Sequence, residues 1–194
     1  MDNRANILDC ALRLFASQGY DSVGVQKICE DAGVTKPTLY YYFKSKHGLL
    51  DTLLAEYFQT LYQMVEPAVT YHGDLSLSLS GVTTAYFSFA KEHAAFYRLQ
   101  LSLYFAPPQH EAHKLAAGFQ ERQFRLVKNL FLGALRDYPN LQEHEDYATA
   151  TFIGLVDHWI SLALNNYIEL NSALVHQTVQ QFLYGILSAH ETRM

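Results

Sequence analysis

The segment with the clearest chemical signature is residues 32–50, which reads AGVTKPTLYYYFKSKHGLL. It contains three lysines and no acidic residue, although the whole chain has a formal net charge of -5. A short helix that presents hydroxyls, phenols and lysines offers the groups that contact base edges and phosphates of DNA. These residue types therefore favour nucleic-acid recognition over a merely solvated face, which would more typically carry Glu/Lys pairs.

The same segment contains the signals that would position those groups. Gly33 can form a tight turn, Thr35 can cap a new helix, and Pro37 suits the first helical turn, where its missing N–H costs nothing. Leu39 and Phe43 are four residues apart and give that helix one buried face. At 100° per residue, the side chains that point the other way are those of Pro37, Thr38 and Tyr41. The pattern predicts a helix-turn-helix with its reading face exposed.

Composition limits the remaining possibilities. The chain has 194 residues, a mass of 22.1 kDa and 49% hydrophobic residues, which is enough for a sizeable core in one large or two small domains. Its apolar runs fall short of the roughly 18 residues of a membrane span, and the first residues lack a signal-peptide pattern. Cys10 and Cys29 are the only cysteines, and we expect both to be reduced and buried in a cytoplasmic protein.

Charge is distributed unevenly along the chain. Residues 1–50 carry a net charge of +1, and residues 51–194 carry -6. The overall negative charge argues against a general nucleic-acid coat protein. The positive charge is concentrated where the helix-turn-helix pattern lies, which favours a local contact with DNA.

Helical periodicity runs through nearly the whole chain and predicts an all-α fold of about nine helices. The first helix ends at Gly19, and the next three cover residues 25–32, 35–44 and 46–67. The alternating segment LSLSLS (residues 75–80) resembles a strand, but we interpret it as helix because Asp74 can cap it and a 3.6-residue period continues beyond it. The later helices are predicted at about 92–106, 109–137, 143–167 and 172–190.

Residues 4–50 closely resemble the DNA-binding domain of the tetracycline-repressor (TetR) family of bacterial regulators. The matching residues are Ile7, Ala11, Leu14, Phe15, Gly19, Tyr20, Ile28, Ala32, Gly33, Val34, the run 38–46 and Leu49-Leu50. The resemblance implies an all-helical homodimer with a helix-turn-helix DNA-binding domain at residues 1–46. Residues 47–194 would then form a larger effector-binding and dimerisation domain.

The resemblance also assigns contacts with DNA. By it, Lys36, Thr38 and Tyr41 would reach bases and nearby phosphates, and Tyr42 and Lys46 would hold the backbone. The full predicted set is Lys36, Pro37, Thr38, Tyr40, Tyr41, Tyr42 and Lys46. Two departures from the family pattern stand out: Val23-Gly24-Val25 replaces a hydroxyl cap on the second helix, and Tyr42 occupies a position where histidine is common.

Histidines raise the question of metal binding or catalysis. His110 and His113 are three residues apart at a helix start but lack an evident third ligand, so we expect a solvated helix terminus. His93 and His158 lie on apolar helices, where a hydrogen-bonded core or pocket histidine is the expected role. Because nucleophile, phosphate-loop and paired-cysteine motifs are missing from the sequence, we predict no enzyme activity, no cofactor and no metal.

Aromatic residues are abundant between residues 57 and 124, and most must fill a core. Buried tyrosine hydroxyls need partners, however, and a ligand pocket between the helices of residues 53–165 would supply them. The predicted lining residues are Tyr62, Tyr86, Phe89, Tyr97, Phe124 and His158. A small, largely apolar, planar, neutral or cationic effector fits this chemistry best.

The last two helices carry stripes suited to a partner helix. The predicted dimer-interface residues are Gly154, Ser161, Val175, Val179, Phe182, Leu183 and Ile186. Burial within one chain is the alternative, but the resemblance and the two-fold symmetry of most oligomers favour a four-helix dimer interface.

Together these patterns predict a ligand-responsive dimeric regulator, a repressor in our interpretation, that binds a pseudo-palindromic operator and is released by its effector. A DNA-binding protein without an effector, a transcriptional activator and a His-based helical enzyme are the alternatives.

Overall fold

The computed structural model describes residues 2–188, and of residues 186–188 it describes the backbone alone. Within that part the chain forms nine α-helices and no β-strand, which confirms the predicted all-α fold. The helices are α1 (Asn3–Gln18), α2 (Val25–Ala32), α3 (Lys36–Phe43), α4 (Lys46–Val65), α5 (Leu75–Glu92), α6 (Ala94–Tyr104), α7 (Glu111–Ala134), α8 (Glu145–Leu164) and α9 (Ser172–Ser188). Short 3₁₀ turns cover Glu66–Ala68 and Pro139–Leu141.

Three predicted helix caps are present. The side chains of Thr35, Ser45 and Asp74 each accept a hydrogen bond from the main-chain N–H three residues later, at 3.4, 2.9 and 2.9 Å respectively. Because Asp74 caps the first turn of α5, the LSLSLS segment is helical, as its longer-range periodicity predicts. The N-terminus of α2 has Gly24 as its cap residue and no side-chain hydrogen bond there, in agreement with the missing hydroxyl.

Several predicted boundaries are too generous. The helix predicted at 92–106 begins at Ala94, because α5 continues through Glu92 and His93 leaves the helical conformation with φ -125° and ψ 44°. The helix predicted at 109–137 is α7, which ends at Ala134. The last two residues of the helix predicted at 172–190 lie outside the described part.

The chain folds into two compact units. The first unit contains the residues up to Gln59 together with His93–Gln120, and the second contains Thr60–Glu92 together with the residues from Glu121 onward. Helices α4 and α7 each contribute residues to both units. The predicted functional boundary between residues 46 and 47 stays a prediction.

In the first unit, α1 packs against α2, α3 and α6. Side chains from each of the first four helices are fully buried there, among them Ile7, Ile28, Leu39 and Leu50. Both cysteines are buried free thiols, as predicted. This core fixes the position of α3 and therefore of the residues on its outer face.

In the second unit, α5 packs against α8 and α9. The rings of Phe131, Phe152 and Phe182 form a mutual cluster with centroid distances of 5.2 to 6.3 Å. Thr83 and Thr178 are fully buried, and each donates its hydroxyl hydrogen bond to the carbonyl four residues earlier in its helix. Every helix within residues 2–188 is too short or too polar to cross a bilayer.

Candidate DNA-binding surface

The turn between α2 and α3 is closed by main-chain hydrogen bonds. Gly33 adopts the left-handed conformation with φ 63° and ψ 33°, which glycine reaches without a side-chain penalty. The N–H of Gly33 donates to Glu30 O, and the N–H of Val34 donates to Cys29 O at 3.0 Å. These bonds satisfy the last carbonyls of α2 and set the direction in which α3 begins.

Helix α3 has one buried and one exposed face, as its sequence predicts. Leu39 and Phe43 are inside, and the side chain of Tyr41 is 73% exposed. Lys36 and Pro37 are exposed at the N-terminal end of the helix. Lys36, Pro37 and Tyr41 are thus available to a partner molecule without any change in the core.

The neighbouring polar side chains of α3 are held in place. Tyr40 and Tyr42 are 42% and 39% exposed, so both are partly packed, and the Tyr42 ring meets the Tyr41 ring edge-on at 5.1 Å. The hydroxyl of Thr38 lies 2.9 Å from the hydroxyl of Thr35. Because these side chains are already oriented, less conformational entropy is lost when they contact a partner.

The connection from α3 to α4 is unusually tight. Lys44 has a positive φ of 65°, and its N–H donates to Tyr40 O at 3.0 Å. A Cβ atom added to Gly48 would lie 2.2 Å from the carbonyl oxygen of Phe43, closer than any real contact. Glycine at position 48 therefore allows α4 to start directly beside the end of α3.

Lys46 occupies a position that the sequence pattern does not reveal. Its ammonium lies 4.0 Å from the ring centroid of Tyr20 and 5.9 Å from that of Phe15. Burial lowers the pKa of Lys46, although the charges of Asp21 and Glu111 oppose this change. Burial also raises the pKa of Tyr20 to about 12, and the same two carboxylates add to that rise. Lys46 is consequently a structural cation of the first unit as well as a predicted phosphate contact.

Two histidine–carboxylate pairs lie in the same unit. His110 Nδ1 is 3.0 Å from Asp21 Oδ2, and His47 Nε2 is 3.8 Å from Glu111 Oε1. His113 Nδ1 lies 2.9 Å from a main-chain carbonyl oxygen of α6. His110 and His113 therefore each have a protein partner, and the side chain of His110 remains 41% exposed beside the N-terminus of α7. Among residues 2–188, His, Cys, Asp and Glu side chains do not gather into a group of three that could hold a metal ion.

The residues predicted to line an effector pocket are divided between the two units. Three of them are buried in the second unit: Tyr62, Tyr86 and Phe89. Phe124 is half-buried in the same unit, whereas Tyr97 is buried in the first. His158 is exposed in the single chain, so the expectation of a core or pocket histidine is wrong there. The buried face of α8 carries Phe152, Val156 and Ile160, and a residue two positions after Val156 points away from that face.

The predicted dimer-interface residues also differ in exposure. Val179 is only 1% exposed in the single chain, so its placement in the dimer interface is wrong, because α9 packs this residue inward within its own chain. The other described members of the set are half-buried except for exposed Gly154: Ser161, Val175, Phe182 and Leu183. The side chain of Ile186 lies outside the described residues.

An open hollow lies beside these residues within the second unit. Its volume is about 360 Å³, and its walls include Tyr147, Thr151, Leu155 and Phe182 of α8 and α9. Tyr147 is exposed in the single chain. These two helices therefore present uncovered apolar and aromatic surface next to the predicted interface.

The comparison with protein families agrees with this geometry. The family model for bacterial regulatory proteins of the tetR family matches residues 7–53, which cover the helix-turn-helix and the start of α4. Over these residues the chain matches the TetR family. A curated relative, tetracycline repressor protein class D of Escherichia coli, is 31% identical over 102 residues, which is 53% of this chain and 41% of the repressor. The match therefore spans less than half the length of that TetR-family relative.

Solved structures extend the similarity to the whole fold. The fatty acid degradation regulator FadR from Bacillus halodurans has a TM-score of 0.80 at 21% identity, covering 97% of this chain and 98% of FadR. The transcriptional regulator FadR from Bacillus subtilis, solved in complex with stearoyl-CoA, has a TM-score of 0.75 at 21% identity, covering 94% and 98%. Both neighbours are regulators, and at 21% identity the similarity shows that this chain shares their fold.

Proposed function

We propose that this chain is a ligand-responsive, homodimeric transcriptional repressor that binds a pseudo-palindromic operator. The observation that carries the proposal is the outer face of α3, where Lys36, Pro37 and Tyr41 are exposed while Leu39 and Phe43 anchor the helix. A helix held this way can enter a major groove with its N-terminal residues on base edges. We assign operator binding to residues 1–46, and effector binding and dimerisation to residues 47–194.

The proposed mechanism is a two-state equilibrium of the dimer. In the DNA-binding state, the two α3 helices lie one DNA turn apart, about 34–36 Å, and enter successive major grooves. An effector can lower operator affinity if it binds more tightly to a second state, in which the two α3 helices are spaced differently. The size of the effect is limited by how much more tightly the effector binds that state than the DNA-binding state. Helix α4 starts beside α3 and continues into the second unit, so it connects the two functions along the chain.

The effector is proposed to be small and largely apolar. The choice is supported by three buried aromatic residues of the second unit, Tyr62, Tyr86 and Phe89. Pockets for small ligands are lined mainly by apolar and aromatic side chains, so an apolar ligand suits these rings. The stearoyl-CoA bound to the B. subtilis regulator points to an acyl chain as the first class of compound to test. A cytoplasmic location in a bacterium and a homodimer formed through α8 and α9 complete the proposal.

Selection from a random duplex library tests the DNA-binding function. The expected result is one enriched pseudo-palindrome, because a two-fold symmetric protein reads two inverted half-sites. On that duplex, Tyr41→Ala should weaken binding by about ten-fold or more, which corresponds to the loss of about 1–3 kcal/mol of base contact. Substitutions of Thr38 should change the preferred sequence more than the overall affinity.

Tyr167→Ala is the matched control, because Tyr167 is similarly exposed but lies in the connection between α8 and α9, outside the proposed reading face and outside the walls of the α8–α9 hollow. It should leave operator affinity unchanged. The assignment of α3 as the reading helix is refuted if Tyr41 and Lys36 can both be replaced without any loss of operator binding in a protein with an unchanged melting temperature.

A further inference from the structure

A side chain of α1 reaches the turn from which the proposed reading helix starts. The side-chain nitrogen Nδ2 of Asn6 donates a hydrogen bond to the main-chain carbonyl oxygen of Ala32 at 2.7 Å, across 26 positions of the chain. Ala32 is the last residue of α2, and the last carbonyls of a helix have no partner within that helix. The turn between α2 and α3 is therefore held by a bond from α1 as well as by its own main chain.

This bond lies where a displacement would be passed on to α3. Gly33 turns the chain in the left-handed conformation, and the N–H of Val34 donates to a carbonyl of α2 at 3.0 Å. Helix α3 begins at Lys36, so residues 33–35 are the whole connection after Ala32. A shift of the Ala32 carbonyl would change the direction in which α3 leaves such a short turn.

The orientation of the Asn6 amide is set by neighbours on the same face of α1. The thiol of Cys10, one helical turn later, donates to Asn6 Oδ1 at 3.9 Å, and Nη2 of Arg13 donates to Cys10 Sγ at 3.1 Å. Because the amide oxygen accepts from the thiol, the amide N–H faces Ala32 O, whereas the opposite orientation would bring two oxygen atoms together. Asn6 is half-buried, so water competes less for its bond than on a fully exposed surface.

The core contacts of α3 do a different task. Leu39 and Phe43 hold the helix from its inner side through apolar packing, which has no preferred direction. Base edges are recognised by directed hydrogen bonds, whereas phosphate contacts give affinity without sequence information. A small rotation of α3 about its buried side would therefore weaken base recognition more than it weakens general binding to DNA.

We propose that Asn6 is a positioning residue for operator recognition, and that its bond to Ala32 holds α3 at the angle that base contacts need. This inference rests on the proposed function and adds a specificity-determining residue outside the reading face. Asn6 acts through the turn and not by touching DNA.

The first test needs no DNA. Asn6→Asp keeps the shape of the side chain but replaces the N–H donor with a carboxylate oxygen, which the Ala32 carbonyl repels. Amide hydrogen exchange of Val34 in the intact protein should accelerate by about ten-fold relative to that of Leu53, an amide in the core of α4. Unaltered exchange of Val34 in Asn6→Asp would overturn the proposal.

Asn3→Asp is the matched control, because it adds the same charge to the same end of α1 at an exposed position. It should leave the exchange of Val34 unchanged. If Asn6→Asp does not fold, Asn6→Ala carries the same measurement, since it removes the donor without adding a charge.

The second test measures the ratio of the affinities for the selected operator and for a random duplex of equal length. Asn6→Asp should lower this ratio by about ten-fold or more, since each half-site loses the effect of one neutral hydrogen bond. Asn6→Ala should lower it by about three-fold, because water can replace part of the lost bond. Asn3→Asp should weaken both affinities equally and keep the ratio, because repulsion from phosphates does not depend on sequence.

The outcomes separate this inference from the proposed function. An operator that Asn6→Asp binds with an unchanged ratio overturns the inference alone, and a lower melting temperature with an unchanged ratio does the same, because it shows a merely structural bond. If no duplex is enriched, the proposed function fails and the inference fails with it.

Discussion

Replacing Lys46 with methionine should affect both the stability of the protein and its binding to DNA. Methionine preserves most of the apolar stem of lysine but removes the ammonium that lies 4.0 Å from the Tyr20 ring centroid. A cation over an aromatic ring contributes about 0.5–1 kcal/mol at an exposed site and about 2 kcal/mol when it is desolvated. Lys46 is half-buried, and the burial that lowers its pKa offsets part of the gain, so we expect a loss of about 1 kcal/mol.

For a chain of this length, about 1 kcal/mol corresponds to a fall of about 2–4 °C in melting temperature. The effect on DNA is separate, because each lysine that neutralises a phosphate contributes about 0.9 to the slope of log affinity against log salt. A dimer that loses one such contact in each half-site should therefore show a slope smaller by about two. Differential scanning calorimetry measures the change in melting temperature. Operator titrations between about 50 and 200 mM salt measure the change in salt slope.

Lys36→Met and Lys46→Arg are the comparison variants for Lys46→Met. Lys36 is exposed at the start of α3, so its replacement should reduce the salt slope and leave the melting temperature unchanged. Arginine at position 46 keeps the cation and should recover most of both losses, since guanidinium groups also stack on rings. A Lys46→Met protein with unaltered melting temperature would refute the structural role, and one with an unaltered salt slope would refute the phosphate contact.

Three further results follow from the structure. Phe182→Glu should convert the dimer into a monomer, because it places a charge beside the α8–α9 hollow. Light scattering at micromolar concentration measures the change, and a wild-type protein that is already monomeric would contradict the proposed dimer. Gly48→Ala should lower the melting temperature, because the added Cβ would meet the carbonyl oxygen of Phe43 at 2.2 Å; an unchanged melting temperature would show that the turn relaxes freely. Folding raises the pKa of Tyr20 and of Tyr62 from 10.0 to about 12, chiefly by burial. Folding therefore favours the neutral phenols. The stabilisation that this gives is fully present below pH 10 and should be lost as pH rises towards 12. Tyrosinate absorbance at about 295 nm should rise together with unfolding.

The sequence by itself determined the features that depend on neighbours along the chain. Helical periodicity, the Thr35 and Asp74 caps and the Gly33 turn all involve residues within about four positions of each other, and the structure confirms each of them. The buried and exposed faces of α3 follow from the same spacing. The family assignment is local too, because the matching residues 7–53 form one continuous helix-turn-helix segment.

Tertiary structure decided which apolar and charged residues meet. His110 pairs with Asp21 across 89 positions, and Lys46 lies over Tyr20, although the sequence contains no signal that links either pair. Periodicity could show that Val179 lies on an apolar stripe, but only the packing of α9 shows that this residue is covered within its own chain.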